Sequence, residues 1–328
     1  MSADKKNYNS PFQATLTGIF NLFRKRVRIG FLSSEERLEG KKILIDGSSS
    51  GLGFATAVEL AKRGGTVIMA VRSGFPEKME EVKKKANSEK VFIHQVDMSD
   101  FGSIKKLVNE VKIEHGKLDI VICNAAVVSK KSVQTKSGLE QMFMVNYFSK
   151  FYLIKLLLEN DCFNTVSKEL PRIVFVASES HRNAGEFKWK DFGSYIPYNI
   201  GKTVELYGYY KLFLVTFARE LSRRLNKDGI QFSVFALCPG PVNSNIAREA
   251  PGIFKPLLRL VFTIFFRSPE KASEPVLYHA ASKQQEGKQF DYLFLMERKP
   301  IDEKAEDPKN GEKLWKLSEE LLKKIKYD

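Results

Sequence analysis

The sequence predicts a single doubly wound α/β domain with a seven-stranded, mostly parallel sheet, extended by helical segments at both ends. Three observations predict it. Short β-branched runs recur from Lys41 onward, patterns of period 3.6 separate them, and neither an internal repeat nor a linker divides the 328 residues. The expected strands are Lys42–Ile45, Thr66–Val71, Val91–Val96, Asp119–Cys123, Arg172–Ala177, Gln231–Leu237 and Gln289–Leu295. Nearly all are apolar on both faces, as strands covered by helices on both sides must be. Leu214, Phe217, Ala218, Leu221 and Leu225 form one of the intervening helical stripes, with Arg219, Glu220, Arg223 and Arg224 turned outward.

Residues 41–299 carry this alternating pattern. Residues 1–40 form an amphipathic basic arm, in which Phe12, Leu16, Ile19, Phe20, Phe23 and Val27 lie beside Arg24, Lys25, Arg26 and Arg28. Such an arm suits a membrane surface, and equally suits packing on the domain or on a partner subunit. Residues 300–328 end in a charged amphipathic helix with Leu314, Leu317, Leu321 and Ile325 at helical spacing, for which packing is the default role.

The formal charge is +14. Lysines nevertheless alternate with glutamates in 77–90 and 312–326, the look of a solvated helix face, so nucleic acid is not an expected partner and an anionic membrane surface or acidic ligand is the better use of the excess. Cys123, Cys162 and Cys238 are odd in number and lack paired spacing, which fits a reducing compartment such as the cytoplasm. His94, His115, His181 and His279 are scattered, and their spacing implies no metal. Met1 to Ser10 are polar with no apolar stretch following, so no secretory leader is expected. No apolar run reaches the roughly 20 residues that span a bilayer; Ile253 to Phe266 comes nearest, interrupted by Lys255, Pro256 and Arg259.

After the first strand the chain reads Asp46-Gly47-Ser48-Ser49-Ser50-Gly51-Leu52-Gly53, then a helix from Phe54 to Arg63. Glycines at 47, 51 and 53 permit a tight turn and bring backbone amides to a pyrophosphate at the helix N-terminus. The loop Gly47, Ser49, Ser50, Gly51, Leu52 and Gly53 is thus a nucleotide-phosphate candidate. The second strand ends at Val71-Arg72-Ser73. An acidic residue there would accept from a ribose 2′-hydroxyl, whereas Arg72 grips a 2′-phosphate, which favours NADP(H) over NAD(H).

The spacing G-x-x-x-G-x-G resembles that of the short-chain dehydrogenase/reductase family, whose Rossmann-type fold agrees with the predicted sheet. Position 46 departs from it: the family usually has Thr, and an acidic residue beside a pyrophosphate repels it unless paired. The resemblance extends over most of 41–245. Asp97-Met98 is similar to the family's adenine-contacting pair. Cys123-Asn124-Ala125-Ala126 resembles its Asn-Asn-Ala-Gly motif, with Ala126 in place of glycine. Pro239-Gly240-Pro241-Val242-Asn243-Ser244 resembles the segment that contacts nicotinamide, so Pro239, Gly240, Val242 and Ser244 join Asn124, Ala125 and Ala126 as implied cofactor contacts.

A carbonyl that receives hydride needs a proton donor beside it. Tyrosine, with an ordinary pKa near ~10, serves when a lysine one turn along the same helix face stabilises the phenolate. Two Tyr-x-x-x-Lys pairs occur. Tyr198–Lys202 follows Pro197 and contains Gly201, so it is expected in a loop. Tyr207–Lys211 opens the long helix to Leu225 and lies at the family's usual distance from Pro239-Gly240. It is the pair chosen. The resemblance supplies the partners: Ser178, with Ser180 as rival, holds the substrate oxygen, and Asn146 completes the tetrad by holding a relay water. In the family the lysine also binds the nicotinamide ribose.

The 28 residues between Ser178 and Tyr207 resemble the retinol-dehydrogenase and protochlorophyllide-reductase-like branch. Phe187, Trp189, Phe192, Tyr195 and Tyr198 within them either line an apolar pocket or pack locally. The family places its substrate cover near 245–268, where Ile253 to Phe266 suits core packing, a greasy substrate or a bilayer surface. The expected function is hydride transfer between NADP(H) and a lipophilic alcohol or carbonyl of retinoid, steroid or fatty-aldehyde type. Membrane contact through 1–30 and 253–266 and a homodimer are the accompanying expectations. A catalytically weak NADP-binding protein acting through interactions is the alternative, motivated by Asp46 and Ala126.

Overall fold

The computed structural model describes residues 29–30, 32–227, 231–241 and 267–327. Its strands are β1 (Lys42–Asp46), β2 (Thr66–Val71), β3 (Val91–Gln95), β4 (Ile120–Cys123), β5 (Arg172–Val176), β6 (Ser233–Cys238), β7 (Phe290–Phe294) and β8 (Glu297–Arg298). They form one sheet in the order β3-β2-β1-β4-β5-β6-β7-β8, every pairing parallel except the last. The seven expected strands are all present within a residue or two. The eighth was not foreseen: it is two residues long, too short for periodicity to register, and folds back on β7 through Leu295, whose φ is +58°.

Helices α1 (Gly51–Lys62), α2 (Glu77–Ala86) and α6 (Pro269–Ala281) cover one face of the sheet, burying Ala57, Leu60, Val82, Val276 and Tyr278 with the inward side of β1 and β2. Helices α3 (Phe101–Glu114), α4 (Ser149–Glu159), α5 (Ile200–Leu225) and α7 (Pro308–Tyr327) cover the other, with Leu107, Phe151, Phe213, Phe217 and Leu314 in its core. Strands sandwiched this way lose both faces to packing, which is why the central ones are mostly apolar, whereas the edge strand β3 (VFIHQ) keeps exposed positions.

The C-terminal helix packs on α4 and α5. Trp315 meets Phe151 at 5.4 Å, Arg224 covers the Trp315 ring at 4.4 Å, and Tyr147 shares a 2.6 Å hydrogen bond with Ser318. The N-terminal arm through residue 28 and the apolar stretch 253–266 lie outside the described residues. Among the described residues, no helix is long and apolar enough to cross a membrane.

Candidate functional site

The carboxyl ends of β1, β4, β5 and β6 converge on one region of the molecule, where parallel α/β sheets hold their ligands. At the end of β1, Gly47 has a φ of +61°, and a Cβ there would stand 2.7 Å from the Ala125 Cα. A Cβ on Gly53 would strike the Gly47 carbonyl at 2.4 Å. Gly51, by contrast, has a φ of +56° and open space around it. The N-cap of α1, Ser50, makes no side-chain cap bond. The first amides of α1 are therefore left for an anion, beside a turn that only glycine allows. These features fit a dinucleotide phosphate, held by the loop Gly47, Ser49, Ser50, Gly51, Leu52 and Gly53. Arg72 is exposed at the end of β2, and no carboxylate pairs with it among the described residues.

Asp46 does not face that loop. It is 1% exposed, and its Oδ1 accepts the backbone N–H groups of Asn124 and Ala125. Its Oδ2 lies 3.2 Å from Lys150 Nζ, which is also 1% exposed. Asn124 answers by donating its side-chain amide to the Asp46 and Gly47 carbonyls at 3.1 and 3.0 Å. The expected repulsion of a pyrophosphate is thus removed by pairing: the carboxylate rivets the end of β4 to the end of β1. Ala126 is exposed. Asp97 accepts from the Ser99 amide and hydroxyl, and Met98 is buried.

Asn146 sits in a π-helical turn, Met144–Phe148, that leads into α4. Such turns occur often at functional sites. Its amide is spent on Val127, accepting from the backbone N at 2.8 Å and donating to the backbone O at 2.9 Å. The side chain therefore positions the loop after β4.

Ser178 follows β5 and caps a 3-10 turn, Glu179–Asn183. Its Oγ accepts from the Ser180 hydroxyl at 2.9 Å, so the two rival serines form one chain of hydroxyls. Ser178 stands beside the Tyr207 hydroxyl. Lys211 Nζ lies 5.7 Å from the Tyr207 ring centroid and donates to the Val176 carbonyl at 2.8 Å. Gly208 makes the approach possible, because a Cβ there would stand 2.8 Å from the Ser180 carbonyl. Burial, then the Cys238 thiol, pushes the Tyr207 phenol above its ordinary value, with the neighbouring Ser178 hydroxyl pulling the other way. Burial, then the Lys150 charge, lowers the Lys211 ammonium from 10.5 to about 7.

The helix carrying this pair begins at Ile200, two turns earlier than expected. Lys202 is accordingly helical, but Tyr198 precedes the helix and donates its hydroxyl to Glu140 at 2.9 Å. The structure thus keeps Tyr198 and Lys202 from sharing a helix face. The inserted aromatics mostly pack locally. Phe187 stacks on Trp189 at 4.3 Å, Phe192 meets Phe143 edge-on at 5.3 Å, and Tyr195 donates to the Ser132 hydroxyl. Gly240 has a φ of +80°, while Val242 and Ser244 lie outside the described residues.

Sequence reasoning missed two neighbours of the site. One is Lys150, whose signal was available as a lysine one turn after Asn146 in the apolar helix α4. The other is Cys238 at the end of β6, which burial pushes up to about 11 and so keeps as a thiol.

The family model described as short chain dehydrogenase matches residues 41–251. The chain belongs to the short-chain dehydrogenase family. It is 33% identical to mouse retinol dehydrogenase 13 over 322 residues, covering 94% of this chain and 91% of that protein. Human retinol dehydrogenase 14 is 30% identical over 308 residues, covering 88% of each. The crystal structure of an uncharacterized protein from Mycobacterium paratuberculosis superposes with a TM-score of 0.68 at 25% identity, covering 90% of this chain and 98% of that one. The NADPH-dependent 3-quinuclidinone reductase from Rhodotorula rubra shares the fold, with a TM-score of 0.59 at 22% identity, covering 83% and 97%. This short-chain dehydrogenase is an oxidoreductase related to the retinol dehydrogenases, in a family that uses NAD(H) or NADP(H).

Proposed function

We propose that the protein transfers hydride between NADP(H) and a lipophilic alcohol or carbonyl, with Tyr207 as proton donor and acceptor. The observation that carries the reading is the convergence of the Tyr207 hydroxyl, Ser178 and the Lys211 ammonium on one spot at the mouth of β5. When bound, the nicotinamide supplies or accepts the hydride. Ser178 orients the substrate oxygen, and Tyr207 gives that oxygen its proton. Burial raises the Tyr207 phenol, so the free site presents the protonated hydroxyl that donation to a carbonyl requires. Lys211 supplies the charge that steadies the phenolate left behind. Asn146 holds the loop after β4 in place beside them.

Arg72 would hold the 2′-phosphate, Asp97 and Met98 the adenine end, and Asn124, Ala125, Ala126, Pro239 and Gly240 the rest of the nucleotide. The relatives' names, retinol dehydrogenases, support a lipophilic substrate of retinoid, steroid or fatty-aldehyde type. The catalytically weak alternative loses its main motive once Asp46 is seen to be paired away from the phosphate loop.

The test is nucleotide binding followed by fluorescence, NADPH against NADH, for wild type and Arg72→Ala. Loss of a charge-assisted contact of about 1.5–3 kcal/mol predicts NADPH affinity falling about 10–100-fold, with NADH little changed. A screen of lipophilic aldehydes and ketones follows. Equal affinity for the two nucleotides in wild type would overturn the cofactor preference.

A further inference from the structure

Two histidines that look scattered in the sequence meet at the edge of the sheet, away from the Tyr207 region. His94 lies on β3, the outermost strand, and His115 caps the C-terminus of α3. Their Nε2 atoms are 2.9 Å apart, and the residues are 7% and 8% exposed. Behind His94, the Glu110 carboxylate stands 3.3 Å from Nδ1. A carboxylate only accepts, so Nδ1 carries the hydrogen and, in the neutral imidazole, the His94 Nε2 presents a lone pair. Whatever bridges the two Nε2 atoms must then be electropositive. Glu114, the last residue of α3, brings its Oε2 to 3.9 Å from the His94 Nε2. One ligand atom from each of His94, Glu114 and His115 lies within 4.8 Å of the others.

We propose that His94, His115 and Glu114 bind a first-row divalent cation, Zn2+ foremost, with water completing a tetrahedral shell. A proton on His115 would satisfy the two nitrogens alone. It gives no part to a carboxylate behind one imidazole and another beside the shared face, which is the arrangement that orients histidine ligands and raises their basicity. Metal–nitrogen bonds of about 2.0–2.1 Å place tetrahedral ligand atoms about 3.3 Å apart, so the two contacts to His94 Nε2 adjust by about half an ångström and the Glu114–His115 contact by up to about 1.5 Å. The Glu114 side chain is 56% exposed, which gives it freedom to close and leaves the fourth position to solvent. Two imidazoles and one carboxylate select zinc and its neighbours over Mg2+ or Ca2+. Lys42 donates to the His115 carbonyl at 2.5 Å, and Phe92 packs edge-on to the imidazole at 4.9 Å. Both fix His115 without occupying the ligand face. Because β2, β1 and β4 separate β3 from β5, the cation would clamp the edge strand to α3 and take no part in hydride transfer.

The experiment is titration of the full, tag-free chain with Zn2+ by calorimetry and with Co2+ by visible absorption, Mg2+ and Ca2+ serving as controls. The expected result is saturable one-to-one uptake of Zn2+, a tetrahedral Co2+ spectrum and no response to Mg2+ or Ca2+. Uptake should vanish in His115→Gln and weaken at least tenfold in Glu114→Gln, an exposed position where the fold is not at risk. Glu110→Gln, which removes only the carboxylate behind His94, should cost about 10–100-fold. Absence of saturable uptake by the wild type would overturn the proposal. So would a tetrahedral signal that survives His115→Gln and Glu114→Gln, because the ligands would then lie elsewhere.

Discussion

Two lysines are buried almost completely near the mouth of the sheet, and they are treated in opposite ways. Lys150 on α4 is 1% exposed and faces the Asp46 carboxylate at 3.2 Å. Lys211 on α5 is 2% exposed; it donates to the Val176 carbonyl at 2.8 Å and meets no carboxylate among the described residues. An ammonium beside a carboxylate is neutralised, and it shares in the riveting of β4 to β1. An ammonium with only a carbonyl keeps its desolvation cost, and the Lys150 charge adds to that cost. The paired lysine fixes the floor of the site, whereas the unpaired one is poised to lose or hold a proton near neutral pH. The field of Lys150 at Lys211, partly opposed by that of Asp46, links the two regions.

The largest expected effect comes from breaking the pair on one side. Lys150→Met leaves Asp46 buried and uncompensated, which should cost about 3–5 kcal/mol of stability. Asp46→Asn/Lys150→Met, with no charge left, should recover most of that loss in urea unfolding. Equal losses in the single and double variants would mean the pair is not what matters there.

The next effect separates Lys211 by pH. Its folded pKa is lowered to about 7, while the unfolded chain keeps the ordinary 10.5. Between these values the unfolded chain binds the extra proton, so stability rises with pH, by up to about 1.4 kcal/mol per unit. Below pH 7 both states are protonated and the full cost of the buried charge remains. Lys211→Met should flatten the rise between about pH 7 and 9, while Asp46→Asn/Lys150→Met should keep most of it, because burial is the larger cause and the two removed charges act on Lys211 in opposite directions. A wild-type stability that is flat over that range would contradict the contrast between the two lysines.

A smaller effect concerns the approach of α5 to the serines. Gly208→Ala places a methyl 2.8 Å from the Ser180 carbonyl. It should cost about 1–3 kcal/mol and lower kcat about tenfold through displacement of Tyr207, with nucleotide affinity unchanged. Ser180→Ala should do least. It removes one hydroxyl that donates to Ser178, worth about 1 kcal/mol or less, and kcat should fall by less than about fivefold. A larger fall would make Ser180 rather than Ser178 the serine that holds the substrate oxygen.

Much of this molecule was legible because its signals are local. Seven strands announced themselves as short, mostly apolar runs, the glycine loop as glycines between a strand and a helix, and Tyr207–Lys211 as a spacing on one helix face. What escaped depends on contacts between distant segments. The partner of Asp46 is far along the chain, so its charge could be read as a liability but not as half of a pair. His94 and His115 come together only when β3 and α3 pack. The inserted aromatics carry no mark that separates a pocket lining from the stacks they make with Phe143 and Phe213. Strand β8 is too short for any period.

The central claim is that Tyr207 moves the proton while the Lys211 charge steadies the phenolate left behind. Single-turnover oxidation of NADPH with a lipophilic aldehyde, in wild type and Tyr207→Phe, tests it most directly. Loss of a general acid predicts a fall of about 10²–10⁴-fold in the hydride-transfer rate, with NADPH binding and thermal stability unchanged. Turnover in Tyr207→Phe within a few-fold of wild type would contradict the account and move the search for the proton donor to Ser178 and its hydroxyl chain.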